Sequence, residues 1–539
     1  MSAPRTLAMA AVGGLLLALS LPPWPGSTGT WLLGVAGAAV VFAAVDDRRL
    51  RARMGAGMAA GLGLYLPGLW WMRDFSLPGF LATVVLESAI LAGATALVPG
   101  GARSRAGPGL RLAAFPAALV LAEAVRGVWP FGGLPLAGIE LGQVAGPLGP
   151  AARIGGRLLV VGLVALAGAA AATAIRRRRP RPDAALAGAA GATAFRGRRP
   201  KPDPAPAGGT ASTSVRRRRP ALLPALAAGA VVVATAVAGA VAPSGRFNGT
   251  LTVAAVQGGG ERGLRAVDSD SAPVFDAHLD ASAGVGAGAD VVLWPEDVVD
   301  VDGVFAGSPQ EQALAALAAE LRTTLVVGIT EDAGEDRFRN ASIAFGPDGK
   351  VVDRYDKVHR VPFGEYIPAR SFFARLGDVS AVPRDAVAGT GPGVVDTAAG
   401  RFGVLISYEV FFQDRSRDAV RAGGRLLLVP TNASSYVDAQ VPAQQLAVAR
   451  LRALETGRWV VQAAPTGYSA VVDHHGHVLA RSGLGGSAVL RHEVQLRTGR
   501  TVFVSLGPAP VLLAAAATLA IAHGRRRVRP RVTAGSPSG

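Results

Sequence analysis

Three stretches of the chain carry side chains whose types and order suit acyl-transfer chemistry. In 403–412, GVLISYEVFF, a buried-strand pattern (Val404, Leu405, Ile406) stops at Ser407, and Tyr408, the acid Glu409 and an apolar patch follow. A nucleophile at the end of a core strand, with an acid two residues on, presents a reactive atom to a cleft. ADVVLWPED is a strand ending in Glu296, where a carboxylate reached by little solvent suits the work of a general base. In RYDKVHRVPFGEYIP, Lys357 follows a hairpin and precedes a proline-fixed loop, so its ammonium can serve a developing oxyanion; Glu365 lies in the same loop. Each alone is more often a plain strand end or a solvated charge. Base, cation and nucleophile at successive strand ends together form an acyl-transfer constellation.

The elements that must position them begin near Leu251, where short β-rich strands start to alternate with helices. LTVAAVQG and TLVVGIT read as strands and 310–321 as an amphipathic helix. RFRNASIAFGPDGKVVDRYDK reads as a hairpin turning at Pro347-Asp348-Gly349. RLLLVPTNAS is a further strand and 444–456 a helix, and WVVQAAP with SAVVDHHGHVLA forms a strand and a hairpin. This alternation predicts an α/β sandwich over 250–497.

Before that region the texture is apolar. Half of the 539 residues are hydrophobic, yet the formal net charge is +17, a combination natural to a membrane protein whose charge sits in its loops. Apolar runs occupy 7–21, 31–45, 54–71, 80–98, 112–128, 158–175 and 221–241, and an eighth, 503–523, follows the sandwich. Most approach the length of about 20 residues that spans hydrocarbon. Their Gly and Ala content suits close helix packing. Arginines concentrate in 46–53, 100–111, 176–220 and the tail 524–539, whereas 22–30 has no charge and 72–79 no basic residue but Arg73. By the positive-inside rule those basic segments are cytoplasmic, which puts 242–500 on the extracytoplasmic side of the cell membrane. The resulting organisation is a six-helix bundle (1–175), a basic cytoplasmic loop (176–220), a seventh span (221–242), the sandwich (250–497), a last span (503–523) and a basic tail.

The loop 176–220 contains a 20-residue repeat, RRRRPRPDAALAGAAGATAF then RGRRPKPDPAPAGGTASTSV, whose composition predicts disorder and contact with anionic lipid in place of nucleic acid. Glu123 and Arg126 share a face at the end of the fifth run, before VWPFGGLPLAG. They are either functional charges at membrane depth or a snorkelling pair anchoring a helix end. Glu87, alone in the fourth run, reads as a packing or interface oddity. His474, His475 and His477 flank a glycine turn and read as an exposed hairpin sooner than a metal site. Cysteine is absent, which excludes disulfides, thiolate metal sites and a thiol nucleophile. No phosphate loop or dinucleotide fingerprint is present.

Taken together, WPE, YDKVHRVPFGEY and GVLIxYE resemble the nitrilase superfamily with its glutamate–lysine–cysteine triad. With the apolar runs, EAVRGVWPFGGLPLAG and ARLRALETGRWVVQAAPTG, the chain resembles the bacterial apolipoprotein N-acyltransferases over nearly all of its length outside 176–220. The resemblance implies a membrane α-helical bundle of about eight transmembrane helices joined to an αββα sandwich. It also implies transfer of an acyl chain from phospholipid, through an acyl-enzyme, to the N-terminal amine of diacylglyceryl-cysteine lipoproteins, with no cofactor or metal. On it Glu296 is the general base, Lys357 the oxyanion-stabilising residue and Ser407 the nucleophile position, with Glu365, Glu409 and Tyr408 in support. Where the family has cysteine, this chain has Ser407. TNASSYVD, with Ala433 and Ser435, lacks the acid and tryptophan expected after TN, and Pro465 stands where asparagine is usual. A thiol titrates near pH 8.5, within reach of a carboxylate base, whereas a hydroxyl is far less acidic. Two alternatives stay open: a catalytically silent paralogue that binds lipid or lipoprotein as a scaffold, and a serine amidase or esterase using His359 as base.

Overall fold

A computed structural model describes residues 2–23, 30–100, 106–178, 222–260, 270–375, 379–432 and 440–524. Most of the repeat loop, the basic tail, and Ala433 and Ser435 lie outside the described residues.

Among the described residues seven α-helices come first: α1 (Ala3–Leu19), α2 (Trp31–Val45), α3 (Leu50–Gly68), α4 (Leu77–Leu97), α5 (Pro108–Arg126), α6 (Ala152–Arg178) and α7 (Leu222–Val241). They lack polar faces because each is apolar nearly all round, so burial is against other helices or lipid. Small residues set how close they come. A Cβ on Gly14 of α1 would sit 1.9 Å from the Ala60 carbonyl oxygen of α3, and one on Gly61 would overlap Ser88 of α4. Among the described residues, four helices are long and apolar enough to cross a membrane: Leu77–Leu97, Pro108–Arg126, Gly149–Arg176 and Leu223–Val241. Ala3–Leu19, Trp31–Val45 and Ala509–Gly524 are shorter apolar helices. The chain is a membrane protein.

Two of the expected runs are interrupted. The third ends at Gly68 and continues as a 3-10 turn over Trp70–Asp74. The last is two helices, because Gly507 (φ 68°) and the following Pro508 end one and start another. The sixth run is longer than expected and kinks at Gly155 and Gly156, whose backbone leaves the helical region.

The C-terminal half runs β1 (Arg246–Gln257), α8 (Ala272–Ser282), β2 (Val291–Leu293), β3 (Val299–Asp300), α9 (Pro309–Leu321), β4 (Thr324–Asp332), β5 (Arg337–Phe345) and β6 (Val351–Asp356). It continues with α10 (Arg370–Phe373), β7 (Asp385–Ala386), β8 (Val394–Thr397), β9 (Gly400–Val404), α11 (Gln413–Arg421), β10 (Leu427–Pro430), α12 (Gln440–Thr456) and β11 (Val460–Ala463). Last come β12 (Ala470–Val472), β13 (Val478–Arg481), β14 (Ala488–Thr498), α13 (Val502–Leu506) and α14 (Ala509–Gly524). The described strands make two sheets. One has the order β14-β1-β2-β4-β5-β6, with β3 on β4 and β7 on β5; the other is β13-β12-β11-β10-β9-β8. The central strands β1, β2 and β4 are parallel, as are β9, β10 and β11.

Val253, Val291 and Val326 from one sheet and Val404, Leu428 and Val461 from the other fill the layer between them. Helices α8 and α9 cover the first sheet through Val274, Leu314 and Ala318. Helix α12 covers the second through Leu446 and Leu451, and these belong to the same apolar core as Ala151 and Val160 of the bundle. That double burial explains why QVPAQQLAVARLRALET shows no polar face: its side chains meet a sheet on one side and membrane helices on the other. The αββα sandwich therefore sits on the bundle through α12.

Candidate active site

Three strand ends carry the candidate residues. Glu296 follows β2, Lys357 follows β6, and Ser407 follows β9 after Leu405 and Ile406. In open α/β sheets such carboxyl ends of parallel strands are where side chains can face a cleft.

Lys357 is 2 % exposed, and its Nζ donates to Glu296 Oε1 and to Glu365 Oε1, each at 2.7 Å. Asn340, on β5, donates through Nδ2 to the same two oxygens at 2.9 Å. The second Glu365 oxygen accepts the Val361 backbone N–H at 2.7 Å, fixing the loop after Lys357. Burial by itself depresses the ammonium, but Glu296 and Glu365 outweigh it, so the Lys357 pKa is raised and the cation is held at neutral pH. Glu296, Lys357 and Glu365 thus form one ion cluster around the buried ammonium.

Ser407 departs from the expected strand end. Regular pairing stops at Val404 and a 3-10 turn covers Ser407–Phe411, with Ser407 itself at φ 49°. A non-glycine residue in the left-handed region costs about 1–3 kcal/mol and persists only where its surroundings impose it. Glu409 supplies that imposition. Its Oε2 accepts Ile406 N–H at 2.9 Å, while Oε1 accepts Tyr355 O–H (2.8 Å), Val358 N–H (2.8 Å) and His359 N–H (3.1 Å). One carboxylate therefore ties the turn that carries Ser407 to the segment that carries Lys357. Arg415 braces the arrangement, donating to the Tyr355 hydroxyl at 2.5 Å. Ser407 Oγ accepts from Thr431 Oγ1 at 3.4 Å, and Gln445 of α12 donates to that threonine.

Sequence reasoning missed Asn340, Tyr355, Arg415, Thr431 and Gln445. The one signal was polar residues in strands and helices otherwise apolar. His359 stacks on Phe412 (4.1 Å between ring centroids), and its Nε2 lies 3.6 Å from Asp414; it has no hydrogen bond to Ser407 among the described residues. No group of three or more histidines and acids is arranged to hold a metal among them either, and the His475 ring instead meets Arg153 at 2.8 Å.

The charges at the end of α5 form a network that no snorkelling pair would make. Arg126 is 1 % exposed and donates to Glu87 (2.5 Å), Glu123 (2.7 Å) and the Leu136 carbonyl. Glu87 is therefore an ion-pair partner across the α4–α5 interface. Arg157 of α6 bridges Glu123 (3.1 Å) and Glu140 (3.0 Å), and its backbone N–H donates to Glu455 of α12 at 2.7 Å. By gripping Leu136, Arg126 closes the segment 127–138, and that segment touches the candidate site twice. Gly133 O accepts from the Tyr408 hydroxyl at 2.9 Å, and Phe131 O from the Tyr366 hydroxyl at 3.1 Å.

Residues 252–502 match the carbon-nitrogen hydrolase family, and residues 13–170 match the apolipoprotein N-acyltransferase N-terminal domain. Proteins called apolipoprotein N-acyltransferase from Mycolicibacterium smegmatis and Geobacter metallireducens are 33 % and 31 % identical to the chain. The matches cover 54 % and 51 % of this chain, and 53 % and 54 % of those proteins. The chain is thus similar to the apolipoprotein N-acyltransferases in its N-terminal part and to the carbon-nitrogen hydrolases in its C-terminal part. Its matched part spans about half the length of these curated relatives. Among solved structures, Nit3 of Saccharomyces cerevisiae, a nitrilase-superfamily member, is similar at 23 % identity and a TM-score of 0.36, over 46 % of this chain and 91 % of that one. An amidase from Nesterenkonia sp. is similar at 22 % identity and a TM-score of 0.36, over 50 % of this chain and 98 % of that one.

Proposed function

We propose that the chain is an N-acyltransferase that moves an acyl chain from phospholipid to the N-terminal amine of diacylglyceryl-cysteine lipoproteins. The single observation that carries this reading is the buried Glu296–Lys357–Glu365 cluster tied through Glu409 to the strained turn at Ser407. In this reading Ser407 Oγ bonds to the ester carbonyl carbon of the lipid while its proton passes to Glu296. Lys357 opposes the charge that develops on the carbonyl oxygen. The ester C–O bond then breaks, and the departing lysophospholipid oxygen takes the proton from Glu296. The lipoprotein amine attacks the seryl ester, an amide bond forms, and Ser407 Oγ leaves and recovers a proton through Glu296. Glu365 holds Lys357, and Glu409 and Tyr408 hold the turn. The concentration of arginines in 46–53, 100–111 and 176–220 supports an extracytoplasmic sandwich on this reading, where lipid donor and anchored acceptor would share a leaflet. The segment 127–138, which meets Tyr408 and Tyr366, borders the site on this reading.

A second reading rests on Ser407 itself. Its hydroxyl has Thr431 as its one hydrogen-bond partner among the described residues, and Glu296 is engaged by Lys357 and Asn340. A hydroxyl needs a base in contact far more than a thiol does. On this reading the chain is a preserved scaffold that binds lipid or lipoprotein without turnover. Intact-mass spectrometry after incubation with phospholipid, beside a Ser407→Ala control, separates the two. An acyl-sized adduct on Ser407, discharged by a diacylglyceryl-cysteine peptide that becomes N-acylated, supports transfer. No adduct in the native chain, with Ser407→Cys acquiring both steps, supports the scaffold.

A further inference from the structure

At the junction of sandwich and bundle, three arginines converge where α13 breaks into α14. Arg417 and Arg421 stand four residues apart on α11, on one face of the helix. Arg417 Nε donates to Val504 O at 3.1 Å and Arg421 Nη1 to Ser505 O at 3.4 Å, both on α13. Arg500, just before α13, donates through Nη2 to Arg421 O at 3.2 Å. Gly507 leaves room for the first of them, since a Cβ there would lie 3.1 Å from Arg417 Cζ.

These three arginines lack a close counter-charge, unlike Arg370, Arg384 and Arg401, which pair with Asp385, Asp332 and Asp396. Among the described residues, no carboxylate lies within 4.0 Å of Arg421 or Arg500, and the one near Arg417 is Asp418 at 4.0 Å. Main-chain bonds to described residues use one nitrogen of each guanidinium, so most of their N–H groups stay available. Directly beyond the break the chain becomes apolar, and Leu506 and Leu513 are 58 % and 70 % exposed. Fixed cations therefore sit at one end of an exposed apolar helix, which is the pattern an anionic lipid complements with phosphate above and acyl chains below.

We propose that Arg417, Arg421 and Arg500 form a site for the phosphate of an anionic phospholipid lying against α14. This site is separate from the strand-end cluster and requires no turnover.

The test is native mass spectrometry of the full chain, released from detergent after delipidation and titrated with phosphatidylglycerol or with phosphatidylcholine of the same chains. Each arginine near a lipid surface contributes roughly fivefold in affinity, so Arg421→Gln with Arg500→Gln weakens phosphatidylglycerol binding on the order of 30-fold. Arg370→Gln with Arg384→Gln, on the paired surface, leaves it unchanged. Arg500→Gln alone, an exposed change, gives roughly fivefold and serves if the double variant unfolds. Equal retention of the two lipids, or undiminished phosphatidylglycerol binding in the Arg500→Gln variant, overturns the proposal. So does displacement of the lipid by millimolar inorganic phosphate, which would mean a site for free anion.

Discussion

Replacing Glu409 by glutamine keeps the shape of the side chain and removes its charge, which isolates what the carboxylate does. Glu409 is fully buried and accepts four hydrogen bonds, three on Oε1 and one on Oε2. An amide has one accepting end. In its better orientation the oxygen keeps Tyr355, Val358 and His359, and the NH₂ group is pushed against the Ile406 N–H, donor against donor. The buried Ile406 N–H then costs about 1–3 kcal/mol, and three bonds to a charged acceptor become weaker neutral ones. Arg415, whose Nε lies 3.7 Å from Glu409, also loses its carboxylate. Together the loss is about 3–5 kcal/mol, close to what breaking a buried ion pair costs. For a unit of this size that lowers the thermal midpoint by on the order of 10 °C. A second readout reports on the turn alone. Because the chain contains no cysteine, Ser407→Cys introduces a single thiol, and its rate of alkylation by iodoacetamide measures how the turn presents position 407. Adding Glu409→Gln in that background changes the rate several-fold as the turn relaxes from its φ of 49°. A midpoint within about 1 °C of the parent, with an unchanged alkylation rate, would refute the claim that Glu409 imposes the turn.

Arg126→Leu leaves Glu87 buried without its cation and Glu123 with Arg157 alone, and frees the Leu136 carbonyl, at a cost of about 3–5 kcal/mol. Protease cleavage within 127–138 accelerates as that segment detaches, and cleavage at the parent rate would show that the network does not hold it. His278 is buried beside Trp294, and burial pushes its pKa down to about 4. The unfolded chain binds the proton from about pH 6.5 downward, so this histidine removes stability as pH falls from about 6.5 to 4, on the order of 3 kcal/mol in all. His278→Leu flattens the pH dependence of the thermal midpoint in that window, and an equal slope in both proteins refutes the assignment. Lys357→Met puts the Glu296 and Glu365 carboxylates side by side without a cation and lowers the midpoint at pH 7.5 by on the order of 10 °C. An unchanged midpoint would mean the ion cluster contributes nothing to stability.

Much of the architecture is local and so could be read without coordinates. Apolar runs with no polar face have to be buried among helices or lipid, and period-two strands with a Pro-Asp-Gly turn have to pair as hairpins; both follow from near neighbours in the chain. The order of Glu296, Lys357 and Ser407 at strand ends is likewise a property of short segments. What the sequence could not decide is which distant group meets which. Arg126 pairs with Glu87 across 39 residues, and Glu409 binds backbone groups 50 and 51 residues away. A buried charge must be compensated, but the compensation comes from whichever element packing brings alongside, and no local pattern specifies that partner. The same holds for Ser407. Its strand predicts an extended residue, and its left-handed turn exists only because Glu409, Tyr355 and the Val358–His359 backbone close around it. Which helix would carry no polar face was also a tertiary outcome, since α12 is buried by a sheet on one side and the membrane bundle on the other.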